Sequence, residues 1–420
     1  MRFSTLIAAF MVGAVTAAPP SATLQKRGVA FNWGKDKVRG LNIGGWLLLE
    51  PWITPSIFQK LDQSLNIVDE MTLTGKLGKD KALEILRPHW DTFCTFKDFK
   101  KIADAGFNMV RLPIPYWAYL DVGETYTTGQ APYVDAAIDW ARATGLKIVI
   151  DLHGAPKSQN GFDNSGQRTK TPGFQQGDSV AQTLQVLDMI SKKYAQPAYQ
   201  DVVVAIQLLN EPLGSALDMK NLEDFYRKGF EQVRNVSDTP VMIHDAFIQP
   251  KLWNGFLSVS DNNAQNVIID HHEYQVFSND LIALQPWQHR QHVCNNAASY
   301  ASGADKWTIV GEWTAAMTDC APALNGYGIG ARYDGSFPDS KFVGSCQGKN
   351  NILEWDATFK GDMRGYLEAQ LSTFESHTQG WVFWNFKTES AHEWDAFALL
   401  DNGVFPQPLG KFEFGAICSI

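Results

Sequence analysis

Several features are scarce in this 420-residue sequence, and each scarcity excludes a class of protein. Charged residues make up only 19% of the chain, the net charge is −9, and no basic stretch exceeds a pair. This balance argues against nucleic acid or an acidic membrane surface as a partner. Beyond the N-terminus, no segment reaches the roughly 18 consecutive apolar residues of a membrane-spanning helix. No linker, repeat or composition break divides the chain, which favours one large domain.

The N-terminus has the pattern of a targeting signal. A basic Arg2 precedes an apolar run over residues 6–15, and small residues follow, which predicts a secretory signal at residues 1–17. The dibasic pair Lys26-Arg27 predicts a propeptide at residues 18–27, although an incidental pair in a disordered tail gives the same pattern. We therefore expect a secreted, extracellular or wall-associated protein with a single catalytic domain at residues 28–420.

Secretion changes the interpretation of the five cysteines. None of them has the Cys-x-x-Cys spacing of a metal site, so we expect no metal and favour disulfides. Cys94 lies in an apolar, helix-like segment and is expected to be a free, inert thiol. Four cysteines allow three pairings. Among these we favour Cys294 with Cys418, which would tie down the C-terminus, and Cys320 with Cys346, which would close a loop.

Apolar segments alternate with helical patterns along the chain, as in repeated strand–helix–strand units with a parallel sheet. Four of the helical patterns are residues 96–105, 134–144, 180–194 and 222–233. The eight segments predicted as strands are residues 41–50, 107–114, 146–154, 202–212, 240–247, 266–275, 307–314 and 380–389.

Eight such units predict a (β/α)8 TIM barrel with long loop insertions on its C-terminal face. The alternative is an open doubly wound sheet, but no Gly-x-Gly-x-x-Gly turn follows the first strand. Nearly every strand also has polar side chains at its C-terminal end, where a barrel would bring them to one pocket. These side chains are Glu50, Arg111, His153, Asn210, Glu211, His244, Asp245, His272, Tyr274, Glu312, Trp384, Lys387 and Glu389.

Two carboxylates at that rim indicate a reaction. Glu211 follows the fourth strand in Asn-Glu-Pro, which alone would only suggest a turn, and Glu312 ends the seventh strand. Glycoside hydrolysis requires such a pair, one to protonate the leaving oxygen and one to act at the anomeric carbon. Trp313 and Trp384 offer flat apolar faces for a sugar, although large tryptophans more often pack in a core.

The motifs around these residues resemble glycoside hydrolase family 5. They are "LLNEP" (208–212), "IVGEW" (309–313), "NMVRLPIPYW" (108–117), "IDLHG" (150–154) and "DHHEYQVF" (270–277). Three further segments resemble the fungal secreted exo-β-1,3-glucanases of that family, from about Val38 to the C-terminus. They are "RGLNIGGWLLLEPWITPSIF" (39–58), "HGAPKSQNGFDNSG" (153–166) and "GWVFWNFKTE" (380–389).

The resemblance implies a role for each matched residue. Glu211 would be the acid/base, with a pKa raised by its environment, and Glu312 the ionised nucleophile held by Arg111. The family retains anomeric configuration, for which carboxyl groups about 5 to 5.5 Å apart are expected. Glu50 would cap the non-reducing-end sugar, and Phe162 and Phe277 would clamp the leaving-group site, unless Phe277 lies in the core. The remaining expected sugar contacts and supports are His153, Asp163, Asn164, Asn210, His272, Tyr274 and Trp384.

The implied activity is release of glucose from the non-reducing ends of β-1,3-glucans by double displacement, with transglycosylation through the same intermediate. Two alternatives stay open: the same chemistry on β-1,6-glucan or cellulose, and a wall protein that binds glucan without catalysis. We expect no cofactor, a β-glucan substrate as the partner, and a monomer by default. Asn235, in Asn-Val-Ser, is the glycosylation acceptor found in the sequence.

Overall fold

A closed barrel of eight parallel strands organises the part of the chain that the computed structural model describes, residues 28–415 and 417–418. Each strand pairs with its sequence neighbours, and the first strand closes the barrel against the last. The predicted TIM barrel is therefore confirmed. The strands are β1 Val38–Asn42, β2 Met109–Pro115, β3 Lys147–Gly154, β4 Val203–Gln207, β5 Val241–His244, β6 Val267–Glu273, β7 Trp307–Trp313 and β8 Gly380–Phe383.

Helices lie between the strands, and the four predicted helical patterns fall on α4 (Phe96–Asp104), α5 (Ala131–Thr144), α6 (Ser179–Tyr194) and α7 (Met219–Arg234). Aspartates cap several helix N-termini, as Asp218 does for α7 by accepting a hydrogen bond from Asn221 N. Gly145 ends α5 in the left-handed conformation. The helices are α1 Pro55–Gln59, α2 Glu70–Leu77, α3 Lys79–Phe93, α4 Phe96–Asp104, α5 Ala131–Thr144, α6 Ser179–Tyr194, α7 Met219–Arg234, α8 Asn279–Ile282, α9 Pro286–Ala301, α10 Ala357–His377 and α11 Ala396–Asp401.

The apolar runs of the sequence are buried on both faces of the strands. In β2 and β4 every residue is buried, as expected for a parallel sheet whose outer face is covered by helices. The main core lies between strands and helices. A smaller cluster joins residues from every strand and includes Trp33, whose indole Nε1 donates to Val204 O at 3.1 Å.

The first predicted strand is shorter in the structure. It was expected at residues 41–50, but β1 ends at Asn42, and residues 43–50 form a buried loop. Two glycines follow the strand, and Gly45 has a φ of 71°, which a glycine adopts without steric cost. A Cβ on Gly44 would lie 2.5 Å from the Trp384 ring. Glu50 therefore reaches the site from a loop, and the glycines allow the loop to pack against Trp384.

A bulge in β7 changes which side chains face inward. The pairing register between β6 and β7 shifts at His271/His272, so that His271 pairs with Val310 and His272 with Glu312. The skipped residue is Gly311, where a Cβ would lie 1.9 Å from Asp270 Oδ1. The extra residue reverses the alternation of side chains at the end of the strand.

Both predicted disulfides are present in the structure, and Cys94 is a buried free thiol. Cys294–Cys418 joins α9 to the C-terminal segment, whereas Cys320–Cys346 closes part of the long loop between β7 and α10. The expected signal and propeptide lie outside the described residues. No helix among the described residues is long and apolar enough to cross a membrane.

Candidate active site

A cavity of about 420 Å³ opens where the C-terminal ends of the strands meet. Its size falls in the range of roughly 300 to 1,000 Å³ that is usual for small-ligand sites. Carboxyl groups and aromatic rings line it together, which suits a ligand with both hydroxyl groups and apolar faces. The lining residues are Glu50, Trp52, Gly161, Phe162, Asp163, Asn164, Arg168, Glu211, Phe247, Tyr274, Phe277, Glu312, Leu324, Asn325, Gly326, Arg332, Phe337, Trp384 and Trp394.

Glu312 reaches the cavity because of the bulge in β7. Its Oε1 accepts a hydrogen bond from Arg111 Nη1 at 2.9 Å, and its Oε2 accepts one from the Tyr274 hydroxyl at 2.8 Å. Burial raises the pKa of Glu312 above its ordinary value, and the charges of His272 and Arg111 oppose this rise. The two donors hold the carboxylate in one orientation.

Glu211 lies four residues beyond β4 with a φ of 44°, a left-handed conformation that is uncommon for a residue with a side chain. Its Oε1 lies 2.8 Å from His272 Nδ1, and its Oε2 accepts from Asn164 Nδ2 at 2.9 Å. Burial by itself would raise the pKa of Glu211. The hydrogen bond and the charge of His272 outweigh burial, and the pKa is lowered to about 2. The expected raised pKa of Glu211 is therefore wrong for the free site.

His272 explains this reversal because it lies between the two carboxylates. Its Nδ1 is 2.8 Å from Glu211 and 3.4 Å from Glu312, and its Nε2 is 3.1 Å from Asp270 Oδ2. Burial opposes a charge on this ring, yet Glu312 and Asp270 outweigh burial and hold the pKa of His272 well above its usual range. In the free enzyme the proton therefore rests on His272. The carboxylate nearest to His272 is Glu211.

Arg111 organises the floor beneath the carboxylates. It is fully buried in β2 and donates to Gln207, Asn42, Glu312 and Asn210 at 2.7 to 2.9 Å. Its guanidinium also lies 3.1 Å from Asp151 and 3.7 Å from Asp270. Burial lowers the pKa of Arg111, but these carboxylates outweigh burial and raise it. A permanent positive charge therefore lies at the centre of the buried acids.

Asn210, His153 and Trp384 form a connected group beside the carboxylates. Asn210 Oδ1 accepts from Arg111 Nη2 at 2.7 Å, which turns its Nδ2 toward His153 Nε2 at 3.4 Å. Asp151 holds the other nitrogen of His153 at 2.6 Å. The His153 ring stacks on Trp384 with centroids 5.5 Å apart. This packing fixes the indole that lines the cavity.

Two further acids lie at another part of the cavity wall. Glu50 accepts a hydrogen bond from Trp52 Nε1 at 2.9 Å, and burial, together with the charge of Asp163, raises its pKa well above the usual value. Burial raises the pKa of Asp163 to about 7. Asp163 Oδ2 is buried without a hydrogen-bond partner among the described residues. Both carboxyl groups line the cavity.

Three exposed phenylalanines line the cavity. Phe162 is 44% exposed, and so is Phe277, which rules out a core position for the latter. Phe277 packs against Tyr274 and Trp394. Phe247, 45% exposed, joins them from the turn after β5, and sequence analysis missed it. Its position in "HDAF", just after a strand end, was the available signal.

The loop between β7 and α10 supplies residues that sequence analysis also missed. Asp319 is fully buried at its side chain and accepts hydrogen bonds from the backbone of Arg332 and Tyr333 at 2.7 and 2.9 Å. The Arg332 guanidinium lies 3.8 Å from the Phe337 ring centroid. No strand or helix period marks this loop, so only the tertiary structure reveals that it forms a wall.

Several residues expected at the rim lie elsewhere. Trp313 is fully buried and packs against Phe374 and Trp381, so its expected role as a sugar platform is wrong. The bulge at Gly311 is the reason, since Glu312 takes the inward position. Three other strand-end residues make contacts away from the cavity. Lys387 pairs with Asp98, Glu389 accepts from Ser56, and Asp245 pairs with His271.

One group of side chains among the described residues has the spacing of a metal site: Glu211, His244 and His272 offer ligand atoms within 4.8 Å of one another. The hydrogen bonds do not fit a metal ion. Ala246 N donates to His244 Nδ1 at 3.0 Å, so the other nitrogen of His244 carries a proton. His272 is held in its charged form. The group fits proton handling better than cation binding.

Comparisons with known proteins agree with this chemistry. Residues 78–327 match the family described as cellulase (glycosyl hydrolase family 5). A glucan 1,3-beta-glucosidase of Blumeria graminis is 48% identical over 403 residues, covering 94% of this chain and 92% of that protein. A protein of the same name from Yarrowia lipolytica is 44% identical, and both chains are covered in full. The crystal structure of rutinosidase from Aspergillus niger superimposes with a TM-score of 0.71 at 21% identity, covering 90% of this chain and 99% of that one. This last likeness concerns the fold.

Proposed function

Because the chain belongs to glycoside hydrolase family 5, we propose that this enzyme releases glucose from the non-reducing ends of β-1,3-glucans with retention of configuration. The observation that carries the proposal is the meeting of Glu211 and Glu312 at one nitrogen of His272, beside a cavity lined with two further acids. The glucan 1,3-beta-glucosidase relatives support the linkage.

In the first step Glu312 attacks the anomeric carbon as a carboxylate. Arg111 and Tyr274 donate to its two oxygens and leave a lone pair directed at the sugar. As the bond from carbon to the leaving oxygen breaks, Glu211 protonates that oxygen. The proton comes from His272 Nδ1 across the 2.8 Å hydrogen bond. Asn210 binds the sugar 2-hydroxyl, a contact that strengthens toward the transition state.

In the second step the glycosyl-enzyme is released. Glu211, now ionised, takes a proton from water or from a sugar hydroxyl, and the oxygen of that acceptor displaces Glu312 from the anomeric carbon. Water as acceptor gives hydrolysis, and a sugar gives transglycosylation. The proton returns through Glu211 to His272, so that the pair ends the cycle in its starting state.

The carboxylate geometry supports retention. One oxygen of Glu211 lies 2.8 Å from His272 Nδ1, and one oxygen of Glu312 lies 3.4 Å from the same atom. Their nearest oxygens are therefore closer than the roughly 6.5 to 9.5 Å that separates the carboxyl groups of inverting enzymes.

We assign the exo action, which is cleavage at the chain end, to the loops around the cavity. Glu50 and Asp163, whose pKa values are raised by burial, present carboxyl groups to the hydroxyl groups of a terminal glucose. Trp384 lies under this sugar, while the exposed rings of Phe162 and Phe277 contact the leaving-group sugar. Each ring can pack against an apolar C–H face of a glucose unit.

We also propose how the protein is processed and where it acts. A signal at residues 1–17 and a propeptide at residues 18–27 would leave a mature domain from Gly28, glycosylated at Asn235 and active as a monomer on wall glucan. The two disulfides fit an oxidising compartment. N-terminal sequencing of the secreted enzyme tests the propeptide boundary, and a first residue other than Gly28 would contradict it.

Digestion of laminarin, followed by proton NMR, tests linkage, exo action and retention together. We expect β-glucose as the first product, with α-glucose appearing only by mutarotation, and no ladder of oligosaccharides at early times. Mixed oligosaccharides would contradict exo action, and initial α-glucose would contradict retention. Faster release from a β-1,6-glucan or from a cello-oligosaccharide in parallel reactions would move the assignment to that linkage.

A further inference from the structure

His244 is a buried group that the proposed reaction does not use. It ends β5, is fully buried, and packs its ring edge-on against His272 with centroids 4.4 Å apart. One of its ring nitrogens lies within 4.8 Å of a carboxylate oxygen of Glu211 and a ring nitrogen of His272. His244 therefore lies directly behind the pair that handles the proton.

The backbone fixes which nitrogen of His244 carries its proton. Ala246 N donates to Nδ1 at 3.0 Å, so Nδ1 must offer a lone pair and Nε2 must be the N–H donor. Nε2 is buried and has no hydrogen-bond partner among the described residues. A buried donor without an acceptor is unusual and calls for a functional explanation.

Burial leaves this ring neutral. Burial, assisted by the charge of His272, lowers the pKa of His244 to about 4. Asp245 does not reverse this effect, because its oxygens accept from Phe247 N at 2.9 Å and from His271 Nδ1 at 2.7 Å. The charged groups that act on His244 are His272, Asp245, Asp270 and Glu211.

We propose that His244 is a positioning residue for the acid/base step, whose fixed Nε2–H favours the ionised form of Glu211 and the proton on His272 until the leaving oxygen draws it. This inference rests on the proposed function of Glu211. His244 neither gains nor loses a proton. The proton moves from His272 Nδ1 to Glu211 and then to the glycosidic oxygen, while the bond from that oxygen to carbon breaks and the bond to Glu312 forms.

Two substitutions test the roles of the two ring nitrogens of His244 one at a time. His244→Asn keeps an oxygen near Nδ1 to accept from Ala246 N but removes the Nε2–H, whereas His244→Gln can place an amide N–H near Nε2. Without the donor, the Glu211–His272 pair binds its proton more tightly. For His244→Asn we therefore expect the alkaline limb of kcat/KM to move up by about half to one pH unit. His244→Gln should stay closer to the wild-type profile.

The profiles are measured with an aryl β-glucoside on the full secreted enzyme, and circular dichroism checks that each variant is folded. Phe247→Leu serves as a matched control, because the Phe247 ring contacts His244 with centroids 5.0 Å apart and lines the cavity. It should change KM without moving the alkaline limb. A His244→Asn profile that superimposes on the wild type, or equal shifts in the Asn and Gln variants, overturns the proposal.

A direct measurement covers the case in which a variant does not fold. Nitrogen-15 NMR of the wild-type enzyme labelled at histidine should show His244 as a neutral ring protonated at Nε2 between pH 5 and 7. A charged ring or a proton on Nδ1 overturns the proposal. This readout does not depend on activity. Absence of hydrolysis of every β-glucoside by the wild type would instead overturn the proposed function.

Discussion

At the scale of single residues, the site gives two glutamates different environments. Glu312 is fixed by two donors, Arg111 and Tyr274, whereas Glu211 shares a proton with His272. The sequence indicated that both carboxylates belong to one site, but it did not indicate where the proton rests. In the structure the acids around His272 hold the proton on this ring, and Glu211, at 2.8 Å, lies nearer to it than Glu312, at 3.4 Å.

Replacement of each glutamate by glutamine should separate the two roles. Glu312→Gln removes the nucleophile, so we expect no measurable hydrolysis of laminarin or of an aryl glucoside. Glu211→Gln should slow laminarin hydrolysis by about 10²- to 10⁴-fold, and formation of the glycosyl-enzyme less when the leaving group is a good one. Burst kinetics with dinitrophenyl glucoside measure the difference.

Azide supplies the control for this assignment. In Glu211→Gln, azide should restore turnover and yield a β-glucosyl azide, since it attacks the glycosyl-enzyme without needing a base. Glu84→Gln on the exposed face of α3 serves as the matched control and should retain full activity. Equal losses in both site variants on the activated substrate would contradict the assigned roles.

At the scale of elements, the proposed catalytic side chains lie in the barrel strands or just after them, and the longer loops shape the cavity. Glu50 comes from the loop after β1, Phe162 to Asn164 from the loop after β3, and Arg332 from the long loop after β7. The strand pattern was visible in the sequence because buried strands are apolar throughout. The loops have no period, so only family resemblance predicted the first two, and nothing predicted the third.

The two disulfides act on different elements and should have different effects when replaced by alanine pairs. The chain-entropy relation gives about 3.5 kcal/mol for Cys320–Cys346, with a separation of 26, and about 5 kcal/mol for Cys294–Cys418, with a separation of 124. Removal of Cys320–Cys346 should also raise KM for laminarin about tenfold, because it frees the loop that carries Arg332 and Phe337.

Thermal unfolding and steady-state kinetics on the two double variants measure these effects. Loss of Cys294–Cys418 should lower Tm more and leave KM unchanged, because that bond lies between α9 and the C-terminal segment. A rise in KM in both variants, or in neither, would contradict a specific role of the β7–α10 loop in the cavity wall.

At the scale of the whole molecule, the site contributes to folding stability. The pKa of Glu211 lies near 2 in the folded protein and near 4.5 when the chain is unfolded. Its ionised form therefore stabilises the fold above pH 4.5, by about 3 kcal/mol, and this contribution is lost as the pH falls toward 2. His272 acts oppositely: its raised pKa stabilises the fold below pH 6.5, and the contribution is lost at alkaline pH.

Urea unfolding of wild type and Glu211→Gln between pH 6 and 2 tests this linkage. The free energy of unfolding should fall more steeply with acid in the wild type, so that the difference between the two proteins narrows by about 3 kcal/mol across this range. Parallel curves would show that Glu211 has no depressed pKa in the folded state.

The sequence by itself determined the barrel, because eight doubly buried strands with helices between them leave few other ways to bury their apolar faces. It also indicated the carboxylate pair and the disulfides through residue type and spacing. Only the tertiary structure decided which side chains point inward at Glu312 and Trp313, since one extra residue at Gly311 reverses the alternation. It also decided the protonation of Glu211 and the place of His244. Both depend on distances of a few ångströms between residues that lie far apart in the chain, and local patterns contain no record of those distances.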